Sequence, residues 1–385
     1  MRSKNPLQNP QKPRRKAKHS PNRLARSTCQ GLHLWYFFKY VRSFSVHDRI
    51  NTMKRWVYWV GIFISLLFLY LAIRGLDLEY VWESIKTIDF WWFIPGILSY
   101  FAGVLVRAQR WSILLKGKKR QTALQLLPSI CIGYLGNNVF PARAGEFLRA
   151  YHLKEKQEIP FATSLASIIV ERIFDGLVMV IFILIGLPAF LGQLENGSLT
   201  GLLNWILIGG SVLFCIAFVV VLISAIFPQK AKKVFDFIFL HILPRKAHDK
   251  YHAVLNRFFD GLDALKSPLQ ILHVFTLTII VWLFETGLYW SVQQAFHFDL
   301  PFSHLLLLNG ALNILSSIPS APGYIGVFDA PGISILSAMG VASESAAAYI
   351  LTLHAALWLP ITIVGFVFFF KEGLQWSKIK PKTNE

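Results

Sequence analysis

Residues 133–175 read GYLGNNVFPARAGEFLRAYHLKEKQEIPFATSLASIIVERIFD. The stretch begins and ends in apolar sequence of membrane character, yet it holds Asn137, Asn138, Arg143, Glu146, Arg149, Glu171, Arg172 and Asp175. A charge at the centre of a bilayer costs roughly 2.5–3.5 kcal/mol on an insertion scale, so such side chains persist where they face a protein interior or a wet cavity. The stretch therefore reads as one half of a polar site inside a membrane domain.

The composition agrees. Of 385 residues, 54% are apolar and 16% charged, with 32 Phe and 12 Trp, which is too apolar for a soluble domain and fits an all-α polytopic membrane protein. No long polar segment leaves room for a catalytic globular domain of about 100–150 residues. The net charge is +18, but residues 1–55 hold 14 Lys or Arg against Asp48 alone and so carry +13 of it. The high pI thus marks a basic leader and basic loops, which usually lie on the cytoplasmic side, and gives no argument for nucleic acid as a partner. Cys29, Cys131 and Cys215 are scattered, and no CxxC or Cys/His cluster suggests a disulfide or zinc.

Residues 1–52 form a basic leader expected to be disordered for much of its length, because Asn, Pro, Lys, Arg and Gln dominate up to about Ser27. Met53-Lys54-Arg55 directly precedes the first span and would make a natural start, so whether residues 1–52 are translated stays open. Residues 53–372 are the membrane domain, with long apolar runs at Trp56–Ile73, Phe90–Leu115, Phe161–Leu191, Leu202–Phe227, Leu269–Phe296 and Ala346–Phe370. Each is near or above the roughly 20 residues needed to cross a bilayer. Two other runs are apolar but short: Leu124–Phe140 is stopped by Pro141, and Leu305–Ile318 is broken by the Ser- and Pro-rich stretch 316–323 before Tyr324–Met339 continues. Basic flanks and the parity of the spans require both short runs to be re-entrant, the first from the cytoplasm and the second from outside. Such backbone is tolerated where protein or water covers it. The expectation is about six full spans plus two re-entrant hairpins, with both termini cytoplasmic. An interfacial cytoplasmic loop follows at 228–268, broken near Pro244, and a basic tail at 373–385. Hairpin-plus-span units at roughly 122–191 and 303–370 suggest an inverted repeat, echoed by Pro141-x-x-x-Gly145-x-Phe147 and Pro322-x-x-x-Gly326-x-Phe328. Paired interrupted segments of opposed orientation point to a midplane site in transporters.

Pro141 suits the first turn of the helix that follows, and the unpaired N–H groups of a helix start favour an anion. Arg143, Glu146 and Arg149 are read as lying near one face of that helix, where the two arginines can fork a phosphate. The plainer reading is a surface helix with i,i+3 ion pairs. Glu171 and Asp175 share a face at i,i+4, Arg172 reaches Asp175 at i,i+3, and the three sum to −1. That sum asks for an incoming cation or for Arg143 and Arg149; the plainer reading is a buried ion network that fixes helix packing. With Asn137 and Asn138 at the break, these residues form the expected substrate-binding set, for an anionic lipid head group. Four residues are secondary candidates. Arg107 and Arg110, beside Trp111, read mainly as snorkelling interfacial anchors. Glu285 has no local partner in its span and reads either as a proton-coupling carboxylate or as a protonated core residue. Asp329 either opposes the arginines of the first hairpin or makes a local helix-turn contact. Asn309 and Asn313 read as interhelical glue, and His354 as a satisfied core histidine. No P-loop, catalytic motif or metal-ligand spacing occurs, so no catalytic residue, metal or cofactor is expected, and transport would be passive, ion-coupled or driven by a partner.

Four runs carry a resemblance: RAQRW at 107–111, GNNVFPARAGEFLRAYHL at 136–153, SLASIIVERIFDGL at 164–177 and SSIPSAPGYIGVFDA at 316–330. As a set they resemble the flippase-like integral membrane family that includes the transmembrane part of lysylphosphatidylglycerol synthases, the multiple peptide resistance factors. The resemblance covers about Met53 to Phe370. It implies an inner-membrane protein that translocates lipid, best attested in the family for aminoacylated phosphatidylglycerol. The soluble lysyl-transferring domain has no counterpart in the sequence, so the name synthase does not carry over. The expected function is a flippase or transporter of an anionic or aminoacylated phospholipid, or of a lipid-linked head group, across the cytoplasmic membrane. Its expected partners are membrane lipids and, as a further option, a lipid- or glycan-synthesis enzyme; oligomeric state stays open. Two other classes compete: a membrane-embedded lipid-modifying transferase, and a non-transporting scaffold for a synthesis enzyme.

Overall fold

In a computed structural model of the protein, the described residues are 63, 65–70, 74, 76–115, 121–140, 143–191, 227–242, 248–261, 267–318 and 320–373, with isolated positions between 209 and 224. The leader at 1–52, most of the apolar runs Trp56–Ile73 and Leu202–Phe227, Pro141, the break near Pro244 and nearly all of the tail lie outside them. In chain order the described helices are α1 (Leu78–Lys86), α2 (Phe93–Leu115, entered through a 3-10 turn at Phe90–Trp92), α3 (Ala123–Val139), α4 (Ala144–Gln157) and α5 (Phe161–Leu191). They continue with α6 (Pro228–Ile242), α7 (His248–Gly261), α8 (Pro268–Ala295), α9 (Phe302–Leu315), α10 (Asp329–Ala338) and α11 (Ser343–Lys371). No strand occurs among the described residues.

Local chemistry sets the helix ends. Asp77 caps α1 by accepting from the amides of Glu79 and Tyr80 at 3.0 and 3.2 Å. Thr122 and Gln125 cap α3 reciprocally, each side chain accepting from the other's amide at 3.3 and 3.0 Å, the arrangement of a capping box. Three segments, Phe90–Leu115, Pro268–Ala295 and Ser343–Lys371, are long and apolar enough to cross a membrane. α8 is apolar on all sides, as a helix surrounded by protein and lipid must be. It packs along α2 and also touches α5, α9 and α11. Small residues bring α2 and α8 close: a methyl built on Gly103 would sit 3.2 Å from the Val281 carbonyl oxygen and the Phe284 Cβ, and Ser99 Oγ donates to the Phe284 carbonyl at 2.7 Å. Close backbone approach through small residues is how helices associate where lipid removes the hydrophobic drive.

The first interrupted segment is a tight hairpin of α3 and α4. The second comprises α9, a 3-10 turn at Pro322–Tyr324 and α10. α4 does not begin at Pro141: its first helical residue is Ala144, capped by Arg143 in the left-handed region at φ 53° and ψ 38°. That backbone costs a non-glycine residue about 1–2 kcal/mol. It aims the chain so that Gly145 lies against α3. A methyl on Gly145 would overlap the Gly133 carbonyl oxygen and lie 2.6 Å from both the amide N and Oδ1 of Asn137. Because those neighbours are mostly backbone, Gly145→Ala should cost at least about 1–3 kcal/mol, read as a lowered thermal midpoint in detergent. Gly209→Ala, which meets nothing within 4 Å, serves as the control. The sequence echo between Gly145 and Gly326 is not conformational: Gly326 has φ 81° in a turn, whereas Gly145 is helical.

α4 also buries His152 against α3, with its Nδ1 2.7 Å from Ser129 Oγ. Burial, aided by the nearby Lys156 charge and opposed by Glu372, pushes this imidazole down to about 4. The ring is therefore neutral in the fold, while an unfolded histidine titrates near 6.5. Between those values the unfolded chain binds the proton first, so stability should fall as pH drops through roughly 6.5 to 4, by at most about 3 kcal/mol. His152→Gln should flatten that acid slope in a thermal-midpoint series.

Candidate functional site

The charged residues of α5 lie at its junction with α2, α4 and α8. Glu171 is fully buried between two arginines, with Arg149 Nη1 at 2.6 Å and Arg110 Nη2 at 3.2 Å. Asp175 accepts from Arg110 Nη1 at 2.6 Å and from the Trp282 indole N–H at 2.9 Å, and Arg172 Nη2 stands 3.5 Å from its other oxygen. Arg110, with no exposed surface, also donates to Thr278 Oγ1 at 2.9 Å. Arg149 stacks 3.6 Å from the ring centre of Trp111, whose indole donates to Ser167 at 2.9 Å.

Arg107 and Arg110 are thus not interfacial anchors. Both are buried: Arg107 pairs with Glu285 at 3.4 Å and lies over the Trp282 and Tyr134 rings at 4.8 and 5.5 Å. A long apolar helix carries these arginines inward because acids on α5 and α8 await them. Trp111 is equally buried.

Nor do Arg143 and Arg149 converge on one ligand. Arg149 is locked to Glu171 in the buried interior, while Arg143, capping α4 from outside its helical turns, pairs with Glu146 at 3.8 Å and donates to the Ser316 carbonyl at 3.0 Å. The guanidinium of Arg143 also lies 5.7 Å from the Tyr324 ring centre. The two interrupted segments therefore meet through Arg143. Asn138 makes a second junction, donating to Thr362 Oγ1 at 2.7 Å on α11. Asn137 is spent within its own hairpin, accepting from the Gly145 amide at 2.9 Å. Both asparagines hold backbone and helices together, and neither lines the cavity described next.

That cavity, of about 220 Å³, is bounded by Arg143, Arg172, Asp175, Trp282, Asn313 and Ser317 with three apolar neighbours. Its volume is below the roughly 300–1,000 Å³ of pockets that enclose whole drug-sized ligands. The side chains of Arg143 and Arg172 are 31% and 32% exposed, unlike those of Arg110 and Arg149. The Nε of each is buried without a hydrogen-bond partner among the described residues, as are those of Arg107, Arg110 and Arg149. Glu146 stands 3.7 Å from Arg172 and 3.8 Å from Arg143, between the two. Across the whole constellation, Arg107, Arg110, Arg143, Arg149 and Arg172 face Glu146, Glu171, Asp175 and Glu285, so the formal balance is one positive charge. The −1 of the α5 triplet is overcompensated from within the protein.

Asp329 does not oppose the arginines. It pairs with His354 at 2.7 Å and accepts from the Gly326 amide at 2.7 Å, while His354 Nε2 reaches the Gly323 carbonyl at 2.7 Å. His354 is satisfied, and the pair braces the turn of the second interrupted segment. Asn309 joins α9 to α8 through Thr286 Oγ1 at 2.8 Å, and Asn313 donates to Asn309 at 2.7 Å. Trp282 and Ser317 carried no sequence signal that set them apart from packing or loop residues.

The family model for the lysylphosphatidylglycerol synthase TM region matches residues 58–365. A UPF0104 membrane protein of Methanocaldococcus jannaschii is 22% identical over 321 residues, covering 80% of this chain and 92% of that protein. A second UPF0104 membrane protein of the same organism is 23% identical over 234 residues, covering 61% and 92%. The glycosyltransferase AglD of Haloferax volcanii is 24% identical over 278 residues, 64% of this chain; the match spans 43% of AglD, less than half its length. No solved structure matches the chain. With most of its length matched by the family model, this membrane protein belongs to the family of the lysylphosphatidylglycerol synthase transmembrane region.

Proposed function

We propose that the protein moves an anionic or aminoacylated lipid head group, or a lipid-linked one, across the cytoplasmic membrane, with the acyl tails remaining in lipid. The observation that carries this is the cavity at the junction of the two interrupted segments, whose wall includes the partly exposed guanidinium side chains of Arg143 and Arg172. Guanidinium groups suit phosphate oxygens, and a surplus of one positive charge favours an anion. In this proposal α3–α4 and α9–α10 are re-entrant hairpins from opposite leaflets, related as an inverted repeat, within a domain of six full spans. Both termini then lie in the cytoplasm, and membrane lipids are the direct partners. The protein acts as a transporter rather than as an enzyme.

A second reading draws on the relation to AglD, which is named a glycosyltransferase: a membrane unit serving a lipid- or glycan-synthesis enzyme. Reconstitution separates the two. Purified protein in phosphatidylcholine vesicles should move fluorescent phosphatidylglycerol, lysyl-phosphatidylglycerol or phosphatidylethanolamine between leaflets, read by quenching of the outer-leaflet dye, and should favour a head group bearing phosphate and net negative or amino charge. Absence of movement for every lipid, or a change in lipid mass without a partner enzyme, would reject the transport reading.

A further inference from the structure

Glu285 is buried on α8, and the head-group site described above does not use it. Among the described residues its ion-pair partner is Arg107 at 3.4 Å, whereas Glu171 and Asp175 each hold an arginine at 2.6 Å. Its partner Arg107 lies over the Trp282 ring, 4.8 Å from the ring centre, and Trp282 lines the cavity. Arg107 and Trp282 thus link the carboxylate to the space assigned to the head group. The titratable and charged groups facing it are Arg107 and Tyr100 on α2, Tyr134 on α3, Arg172 and Asp175 on α5, and Tyr289 on its own helix. α11 contributes Tyr349, whose hydroxyl is donated to the Tyr289 carbonyl at 2.8 Å.

Protonating this one carboxylate changes the site's balance. The five arginines then face three carboxylates, and the surplus rises from one positive charge to two. Arg107 loses its counter-ion and is left with the faces of Trp282 and Tyr134. Trp282 itself lines the cavity and donates to Asp175, so the change is felt through one shared ring. An anion entering the cavity compensates the extra charge. Conversely, a resident anion makes the neutral form of Glu285 more favourable, because coupling between two sites is reciprocal.

We propose that Glu285 is a proton-binding site coupled to the cavity, so that proton uptake by its carboxylate and occupation by an anionic head group favour each other and a proton accompanies each anion. The step is carboxylate plus proton giving carboxylic acid, with the proton drawn from water at the cavity and no other bond changed. The inference rests on the transport reading for its purpose but can be tested apart from it. The full-length protein in detergent is titrated with dioctanoyl phosphatidylglycerol in weakly buffered solution containing a pH dye. Wild type and Glu285→Asp should take up protons on binding, and their apparent affinity should weaken by up to about tenfold per pH unit above the range where the carboxyl titrates, the slope of one linked proton. Glu285→Gln, which mimics the protonated state, should bind with pH-independent affinity and take up no proton. Equal proton uptake in wild type and Glu285→Gln, or none in wild type, overturns the proposal. Proton uptake without lipid movement in vesicles counts against the transport reading alone, and absence of binding at every pH overturns both.

Discussion

Arg110→Leu is expected to lower the unfolding free energy by roughly 3–5 kcal/mol, the cost of stranding buried partners of an ion network. Membrane-inserted protein should fall accordingly, since that loss is a large part of a typical 5–15 kcal/mol. The guanidinium has no exposed surface and serves three groups at once: Glu171, Asp175 and Thr278. Removing it leaves Glu171 to Arg149, and Asp175 to Trp282 and the more distant Arg172. The effect should come from unpaired charge rather than lost volume. Arg110→Leu combined with Asp175→Asn should therefore recover part of the loss, a coupling read in a double-mutant cycle of thermal or denaturant unfolding. Additive losses would mean that packing, not pairing, dominates.

Arg172→Gln and Arg143→Gln should behave in the opposite way. Each side chain is about one-third exposed, so stability should change by less than about 1 kcal/mol, as for other partly solvated ion pairs. Lipid translocation should fall by roughly 10- to 100-fold, because a hydrogen bond to a charged ligand contributes on the order of 1.5–3 kcal/mol. Arg172→Lys should recover only part of the rate, since an ammonium supplies charge without the planar fork. Arg149, stacked on Trp111 and bonded to Glu171, should resemble Arg110 and lose folded protein instead. A stable Arg149 variant with lost transport and an inert Arg172 would reverse the roles assigned to the two arginines.

Much of the architecture was legible because apolar run length measures a span directly. Phe90–Leu115, Leu269–Phe296 and Ala346–Phe370 fall on the three described segments long and apolar enough to cross a membrane, Phe161–Leu191 is one helix, and the helices of the interrupted segments end at Val139 and Leu315, close to the expected stops. Burial of the α5 acids was legible too, since a bilayer forbids them elsewhere. The partners were not. Arg107 and Arg110 sit near the end of an apolar run followed by lysines, a pattern that reads as a boundary; their acids lie more than sixty positions away in sequence. The −1 sum over Glu171, Arg172 and Asp175 was the available hint that a cation was missing. Arg143 and Arg149 misled for a geometric reason. Six residues at 3.6 per turn place side chains about 120° apart, and the left-handed backbone of Arg143 removes it from the helix altogether. Asn137 and Asn138 looked like ligand groups because they are polar in an apolar run, but Asn137 satisfies the Gly145 amide within its own hairpin and Asn138 ties that hairpin to α11.

The most direct measurement is thiol accessibility in native membranes, in a background lacking Cys29, Cys131 and Cys215. Ser317→Cys, exposed and lining the cavity, should react with a membrane-impermeant thiol reagent, and dioctanoyl phosphatidylglycerol should slow the reaction. Ile168→Cys, at 0% exposure one turn before Arg172, should not react. An unreactive Ser317→Cys, a reactivity indifferent to the lipid, or equal labelling at position 168 would contradict a hydrated head-group pocket held between the two interrupted segments.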